Sequence, residues 1–93
     1  MNTVRAFHYV YVLRNCAGAW YIGCTSNLRR RVIEHNDGKS SYTKKHAPYE
    51  LIYYEASLCS EDAFAREKYL KSGMGRRYLK NRLKVQEEGA LTV

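Results

Sequence analysis

Five side chains hold most of this chain's capacity for chemistry: Tyr11, Tyr21, Arg31, His35 and Glu67. A phenol joins an apolar ring to a weak acid that titrates near 10, so neighbouring cations must lower it before it can act as a base at neutral pH. A fixed guanidinium binds phosphate and stabilises charge developing on it. A lone carboxylate can hold a hard cation that keeps most of its waters. Together these groups specify phosphodiester hydrolysis. The acids are too few for a two-metal cage, so one ion is expected. Taken singly, each has a plainer reading. Buried tyrosines are usually core residues with one hydrogen bond, Arg31 and Glu67 can form a structural ion bridge, and His35 can be a satisfied histidine at the edge of the core.

The phenols need strands to hold them. Residues 7–23, FHYVYVLRNCAGAWYIG, contain two short apolar runs at 7–13 and 19–24 around a polar, glycine-containing break, the pattern of a β-hairpin. Phe7, Tyr9, Tyr11 and Leu13 lie on one face of the first run and Val10 and Val12 on the other, which suits a strand covered on both sides by helices. Tyr11 and Tyr21 share a face only if paired residues sum to an even number. That requires an odd loop, such as 15–17, or a bulge that corrects the parity.

Thr25 or Ser26 as N-cap and Gly38 as a stop predict a helix over 27–36. On it Leu28, Val32 and His35 fall in one narrow sector with Arg31 at the border, while Arg29, Arg30 and Glu34 point elsewhere. A polar basic loop at 39–46 leads to a third strand at 49–56. There Tyr49, Leu51 and Tyr53 line one face, and Glu50, Ile52 and Tyr54 the other. Tyr9, Tyr49, Tyr53 and Tyr54 read as packing residues. Ser60 is the expected cap of a second helix running to Ser72, with Gly73 as its C-cap. Its apolar sector is Ala63, Leu70 and Met74, with Phe64 at the side and Glu67 in the middle. An ionised carboxylate there is costly unless a cation meets it. A last helix over 76–86 turns Leu79 and Leu83 inward, and 87–93 reads as a frayed tail. The order β-β-α-β-α-α predicts an α+β domain: a small three-stranded, mostly antiparallel sheet flanked by three helices.

Ninety-three residues make one domain, and 16 Lys/Arg against 9 Asp/Glu give a net charge of +7, which favours an anionic partner, nucleic acid first. The excess is concentrated: residues 26–46 hold six Lys/Arg and two acids, and residues 66–84 hold eight and one. The plainer reading is two solvated helix faces. Arg29, Arg30, Lys44 and Lys45 suit phosphate positioning or solubility better than catalysis. Cys16, Cys24 and Cys59 lack C-x-x-C spacing, and the three histidines are too scattered to make a zinc site with them. With no signal peptide and no apolar run long enough to span a bilayer, the sequence reads as cytoplasmic, with no membrane partner.

The ordered set resembles the GIY-YIG nuclease domains, specifically small stand-alone bacterial members related to the excinuclease type. The first motif stands as Tyr9-Val10-Tyr11, with tyrosine in place of its glycine, and the second as Tyr21-Ile22-Gly23. NLRRRVIEH keeps the family's Arg/His spacing, and A-x-x-x-E-K-Y-L-K matches the segment bearing its metal-binding glutamate; the resemblance spans 7–83. It implies Tyr11 as general base or water-orienting phenol and Tyr21 as a second phenol at the scissile phosphate. It further implies Arg31 as transition-state stabiliser, His35 as an aid to proton transfer and Glu67 as ligand to one Mg²⁺ or Mn²⁺ ion. Asn81 matches a late asparagine of the family but points away from Leu79 and Leu83. The expected activity is endonucleolytic cleavage of DNA, branched or nicked, selected by structure rather than sequence, in repair or recombination. The alternative is a nucleic-acid-binding module whose nuclease site is residual or depends on a protein partner for substrate choice.

Overall fold

The computed structural model describes residues 6–39 and 46–87. Its elements are β1 (His8–Asn15), β2 (Trp20–Thr25), α1 (Leu28–Asn36), β3 (Tyr49–Ser57), α2 (Ser60–Lys71) and α3 (Gly73–Arg82). The expected α+β order is the observed one. The sheet runs β2-β1-β3, and both pairings are antiparallel. β1 is therefore the central strand, which explains its two apolar faces: Val10, Tyr11, Val12 and Leu13 are all buried. Lys44 and Lys45 lie outside the described residues, as do most of the loop at 39–46 and the tail beyond 87.

The hairpin turn decides which face each tyrosine occupies. The Asn15 side-chain oxygen accepts hydrogen bonds from the backbone N–H groups of Ala17 and Ala19, at 3.0 and 2.9 Å. The Asn15 N–H donates to the Ala19 carbonyl, closing a three-residue loop. Its last member, Gly18, has φ +86°, the left-handed conformation such loops require. The odd loop pairs Tyr11 with Gly23 and Leu13 with Tyr21. Both phenols consequently rise from one face of the sheet.

Two cores result, one per face. On one side Val10, Val12, Ile22 and Ile52 pack with Ala63, Leu70, Leu79 and Leu83 of the α2–α3 layer, joined by Trp20, Cys24 and Tyr53. On the other, Tyr11, Leu13 and Tyr49 pack with Tyr21 and Leu51 beneath Leu28 and Val32 of α1.

Several local expectations are corrected. β3 does not alternate strictly, because its register against β1 shifts between Val12 and Leu13, where Ile52 is the extra residue. Tyr53 therefore packs on the α2–α3 side, and Tyr54 returns to the Tyr11 side and is exposed. Asn27, not Thr25 or Ser26, caps α1, its side chain accepting from the Arg30 N–H, while the Thr25 hydroxyl oxygen accepts from the Asn27 N–H. Gly38 follows α1 as expected, with the Lys39 N–H reaching back to the Glu34 carbonyl. Cys59 precedes α2 and offers no side-chain cap, so Ser60 is already helical. α2 ends at Lys71 because Ser72 is extended, and the Ser72 hydroxyl caps α3 by accepting from Gly75. Gly73 thus opens a helix instead of closing one. The break takes Met74 out of the α2 stripe, and Met74 and Phe64 are both exposed. Glu87, expected in a frayed tail, is bound to the Arg14 guanidinium, which also bridges Glu50 at 2.6 Å. Among the described residues no helix is long and apolar enough to cross a membrane.

Candidate active site

The Tyr11 phenol lies between the sheet and α1. Its oxygen is 2.8 Å from Nε2 of His35, a fully buried residue of α1. The Tyr21 ring closes the group, its centroid 4.8 Å from the His35 ring and 6.3 Å from that of Tyr11. Three rings from three elements thus meet on one face. The period of α1 places His35 on the same sector as Leu28 and Val32, so the apolar stripe that anchors the helix also carries the imidazole inward.

Tyr11 reaches this position because β2 offers no side chain beneath it. A Cβ at Gly23 would meet the Tyr11 hydroxyl and stand 2.6 Å from its Cζ. The glycine of the second motif is therefore a steric requirement of the phenol. Cross-strand pairing of residues 11 and 23 was the available signal, and it becomes readable once the loop length is fixed.

Arg31 lies at the border of the stripe, half-buried, as its helical phase predicts. It donates to the Glu34 carboxylate at 3.1 Å, and Glu34 also accepts from Arg30 at 3.2 Å. Glu34 was not among the expected site residues. The i, i+3 and i, i+4 spacings from two arginines were the signal for it. The Arg31–Glu67 bridge considered above is not the pairing formed: Glu67 pairs with Lys71 at 2.7 Å.

Electrostatics separates the groups. Burial pushes the Tyr11 phenol up to about 12, the Arg31 guanidinium pulls against that rise, and Tyr21 and Glu67 add to it. Burial lowers the His35 imidazole below its ordinary value, and the neighbouring Arg31 charge lowers it further. Burial opposes the Arg31 charge, but Glu34 and Tyr11 together hold its affinity for the proton above the ordinary value. The resting site is thus a neutral imidazole, a protonated phenol and a permanent cation.

Glu67 comes from the other layer. α2 packs on the Val10–Ile22 side of the sheet, and the Glu67 side chain is 21% exposed. Its charge reaches both Tyr11 and Cys24, where it opposes ionisation. Among the described residues no three His, Cys, Asp or Glu side chains stand together as a metal cage. A cation at Glu67 would meet a single carboxylate already paired with Lys71, a donor set that suits a hard ion keeping most of its waters and does not fit a zinc-like site. Arg29 and Arg30 are exposed on α1, Arg29 beside Leu28 at the edge facing Tyr9 and Tyr54, and Asn81 is exposed on α3, away from Leu79 and Leu83.

Comparison with known proteins bears on the whole assembly. A family model described as the GIY-YIG catalytic domain matches residues 7–83. The chain is 42% identical over 65 residues to the UPF0213 protein YazA of Bacillus subtilis, covering 69% of this chain and 66% of that one. It is 42% identical over 64 residues to a UPF0213 protein of Streptococcus pneumoniae, covering 68% and 65%. In both cases the match spans just under two thirds of the relative's length. The solution NMR structure of the UPF0213 protein BH0048 from Bacillus halodurans superposes with a TM-score of 0.51 at 33% identity, covering 81% of this chain and 83% of that one. With hairpin, α1 and α2 all inside the matched span, the chain belongs to the GIY-YIG catalytic domain family.

Proposed function

We propose that this protein is a divalent-metal-dependent endonuclease acting on DNA phosphodiester bonds. The observation that carries the reading is the Tyr11–His35 hydrogen bond, with Tyr21 on the same face and Arg31 at its border. A phenol near 12 is a poor free base at neutral pH, so Tyr11 serves as a relay. It takes a proton from the attacking water as its own passes to the neutral His35 Nε2. Tyr21 orients the phosphate or the water, and Arg31 leaves Glu34 to meet charge developing on the phosphoryl oxygens. Glu67 would hold the divalent ion, Mg²⁺ or Mn²⁺, which supplies Lewis-acid neutralisation of the phosphate when bound. The basic residues Arg29, Arg30, Lys44 and Lys45 would position the backbone, and Asn81 is an accessory candidate. Selection by DNA structure, action on branched or nicked DNA, a role in repair and a cytoplasmic location complete the reading, with a protein partner as a further source of substrate choice.

The test is incubation of the purified protein with Mg²⁺ or Mn²⁺ on branched, nicked, linear and supercoiled DNA. Wild type should nick at least one of them. Tyr11→Phe and Arg31→Lys should each lose roughly 100-fold or more in rate, in line with the loss of one transition-state contact. If Glu67→Ala cuts as fast as wild type, the metal assignment is wrong. Salt-dependent binding without any cleavage, unchanged in Glu67→Ala, would replace the enzyme with the binding module. DNA found attached to protein denatured mid-reaction would replace the water nucleophile with a phosphotyrosyl intermediate.

A further inference from the structure

The sheet face that carries the two phenols also carries a row of rings that the proposed reaction does not use. Tyr54 is the direct cross-strand partner of Tyr11 on β3 and is 53% exposed. Tyr9 precedes Tyr11 by two residues on β1, and its ring meets that of Tyr54 edge-on, with centroids 5.9 Å apart. Phe7, also exposed, extends the row, its centroid 6.3 Å from Tyr9. α1 covers Tyr11, Leu13 and Leu51 through Leu28 and Val32, but its first turn leaves Tyr9 and Tyr54 open. Between them lies a groove of about 350 Å³ lined by Tyr9, Tyr54, Asn27, Leu28 and Arg29.

Three aromatic side chains in a row at a surface keep apolar area in water that a packing role would have removed. The occupant must offer a flat apolar face and tolerate the cation at the groove's rim. It must also continue into the phosphate site next door, because Tyr54 and Tyr11 are neighbours across the sheet. A nucleotide meets all three conditions. A paired base inside a duplex does not, because its faces are already covered by the bases above and below, whereas an unpaired base can stack on aromatic side chains.

We propose that Tyr9, Tyr54 and Phe7 form a stacking platform for an unpaired base of a DNA strand crossing the active site, with Arg29 on the adjoining phosphate. The substrate class is then DNA that is single-stranded beside the bond to be cut. This deepens the endonuclease reading and rests on it for the direction of the strand, while its test needs no cleavage.

Binding is measured by fluorescence anisotropy in EDTA, with a short single strand and the blunt duplex of the same sequence as probes. Wild type should bind the single strand more tightly than the duplex. Tyr54→Leu and Tyr9→Leu should each weaken single-strand binding by about 5- to 150-fold, the usual range for one lost stacking partner, and leave duplex binding nearly unchanged. Tyr54 is exposed, so its replacement should leave the circular dichroism spectrum unaltered. A 2-aminopurine base in the strand should be quenched on binding wild type and stay bright on Tyr54→Leu. Equal losses for strand and duplex, no loss for either, or quenching that survives Tyr54→Leu would each overturn the platform. A platform that passes while no DNA is ever cut would leave stacking standing and remove the nuclease reading alone.

Discussion

The Tyr11 hydroxyl stands over the Cα of Gly23 on the neighbouring strand, in the space a side chain would fill. Gly23→Ala should therefore act on the phenol first. The ring must move off β2, which strains the His35 hydrogen bond and costs about 1–3 kcal/mol of stability, as overpacking usually does. Urea denaturation should show that loss together with reduced activity. In a Tyr11→Ala background the same change should cost far less, because the clash is gone. Additive losses would mean that Gly23 matters for some reason other than the ring above it.

Protonation of the buried His35 should destabilise the fold. Burial and Arg31 hold its folded pKa below the ordinary value, near 6.5, at which the unfolded chain takes up the proton. Above that pH the contribution is fully present. As pH falls through the window, the unfolded state binds more protons and stability drops, by at most about 1.4 kcal/mol per pH unit. Urea midpoints at pH 7.5 and 5 should fall more steeply for wild type than for His35→Phe. Equal slopes would remove His35 as the source.

The three-residue loop after Asn15 fixes the face on which Tyr21 emerges. One residue inserted between Cys16 and Gly18 changes the parity, and either the strand slips or a bulge must absorb the extra residue. Activity should fall to background with a marked loss of stability. Insertion of two residues keeps the parity and should retain much of both. The comparison is made on thermal melts and nicking rates, and equal damage from the two insertions would argue against parity as the cause.

Arg66 holds the far layer together at a distance from the phenols. Its guanidinium makes two hydrogen bonds to Glu55, at 2.9 and 3.0 Å, and lies 5.2 and 5.0 Å from the ring centres of Tyr69 and Tyr78. Glu55 also accepts from the Tyr53 hydroxyl at 2.7 Å. The pair is partly solvated, so Arg66→Ala should cost about 1–2 kcal/mol. Lysine should recover less than half, since it lacks the planar fork. Chemical denaturation reads the loss, and nicking by the folded fraction should be unchanged.

The sequence was most readable where a hydrophobic period carried the information, whereas it leaves open the length of the hairpin loop, on which the shared face of the phenols depends. The two apolar faces of β1 already marked it as a strand covered on both sides, and the stripe of Leu28, Val32 and His35 already pointed the imidazole inward. Less could be read where a neighbour in space decides the outcome. Thr25, Ser26 and Asn27 can each cap a helix, and only the chain's exit from β2 selects Asn27. The stripe drawn through Leu70 and Met74 failed because Ser72 stops one helix and caps the next. Tyr9 and Tyr54 read as packing because the coverage of a ring depends on where α1 begins, a tertiary matter. Glu67 fell on the inward stripe of α2 as expected, but the layer in which that helix lies cannot be read from its own period.

The bulge at Ile52 gives β3 two phases within one strand. Before it, odd-numbered residues face the phenols; after it, even-numbered ones do. Regular alternation with the same length would have turned Tyr54 inward and brought Tyr53 out beside Tyr11, exchanging a half-buried partner of Glu55 for the ring that borders the catalytic face. One surplus residue thus keeps a structural clamp and a surface ring adjacent in sequence yet on opposite sides of the sheet. The strand can serve both layers because its two halves are out of step.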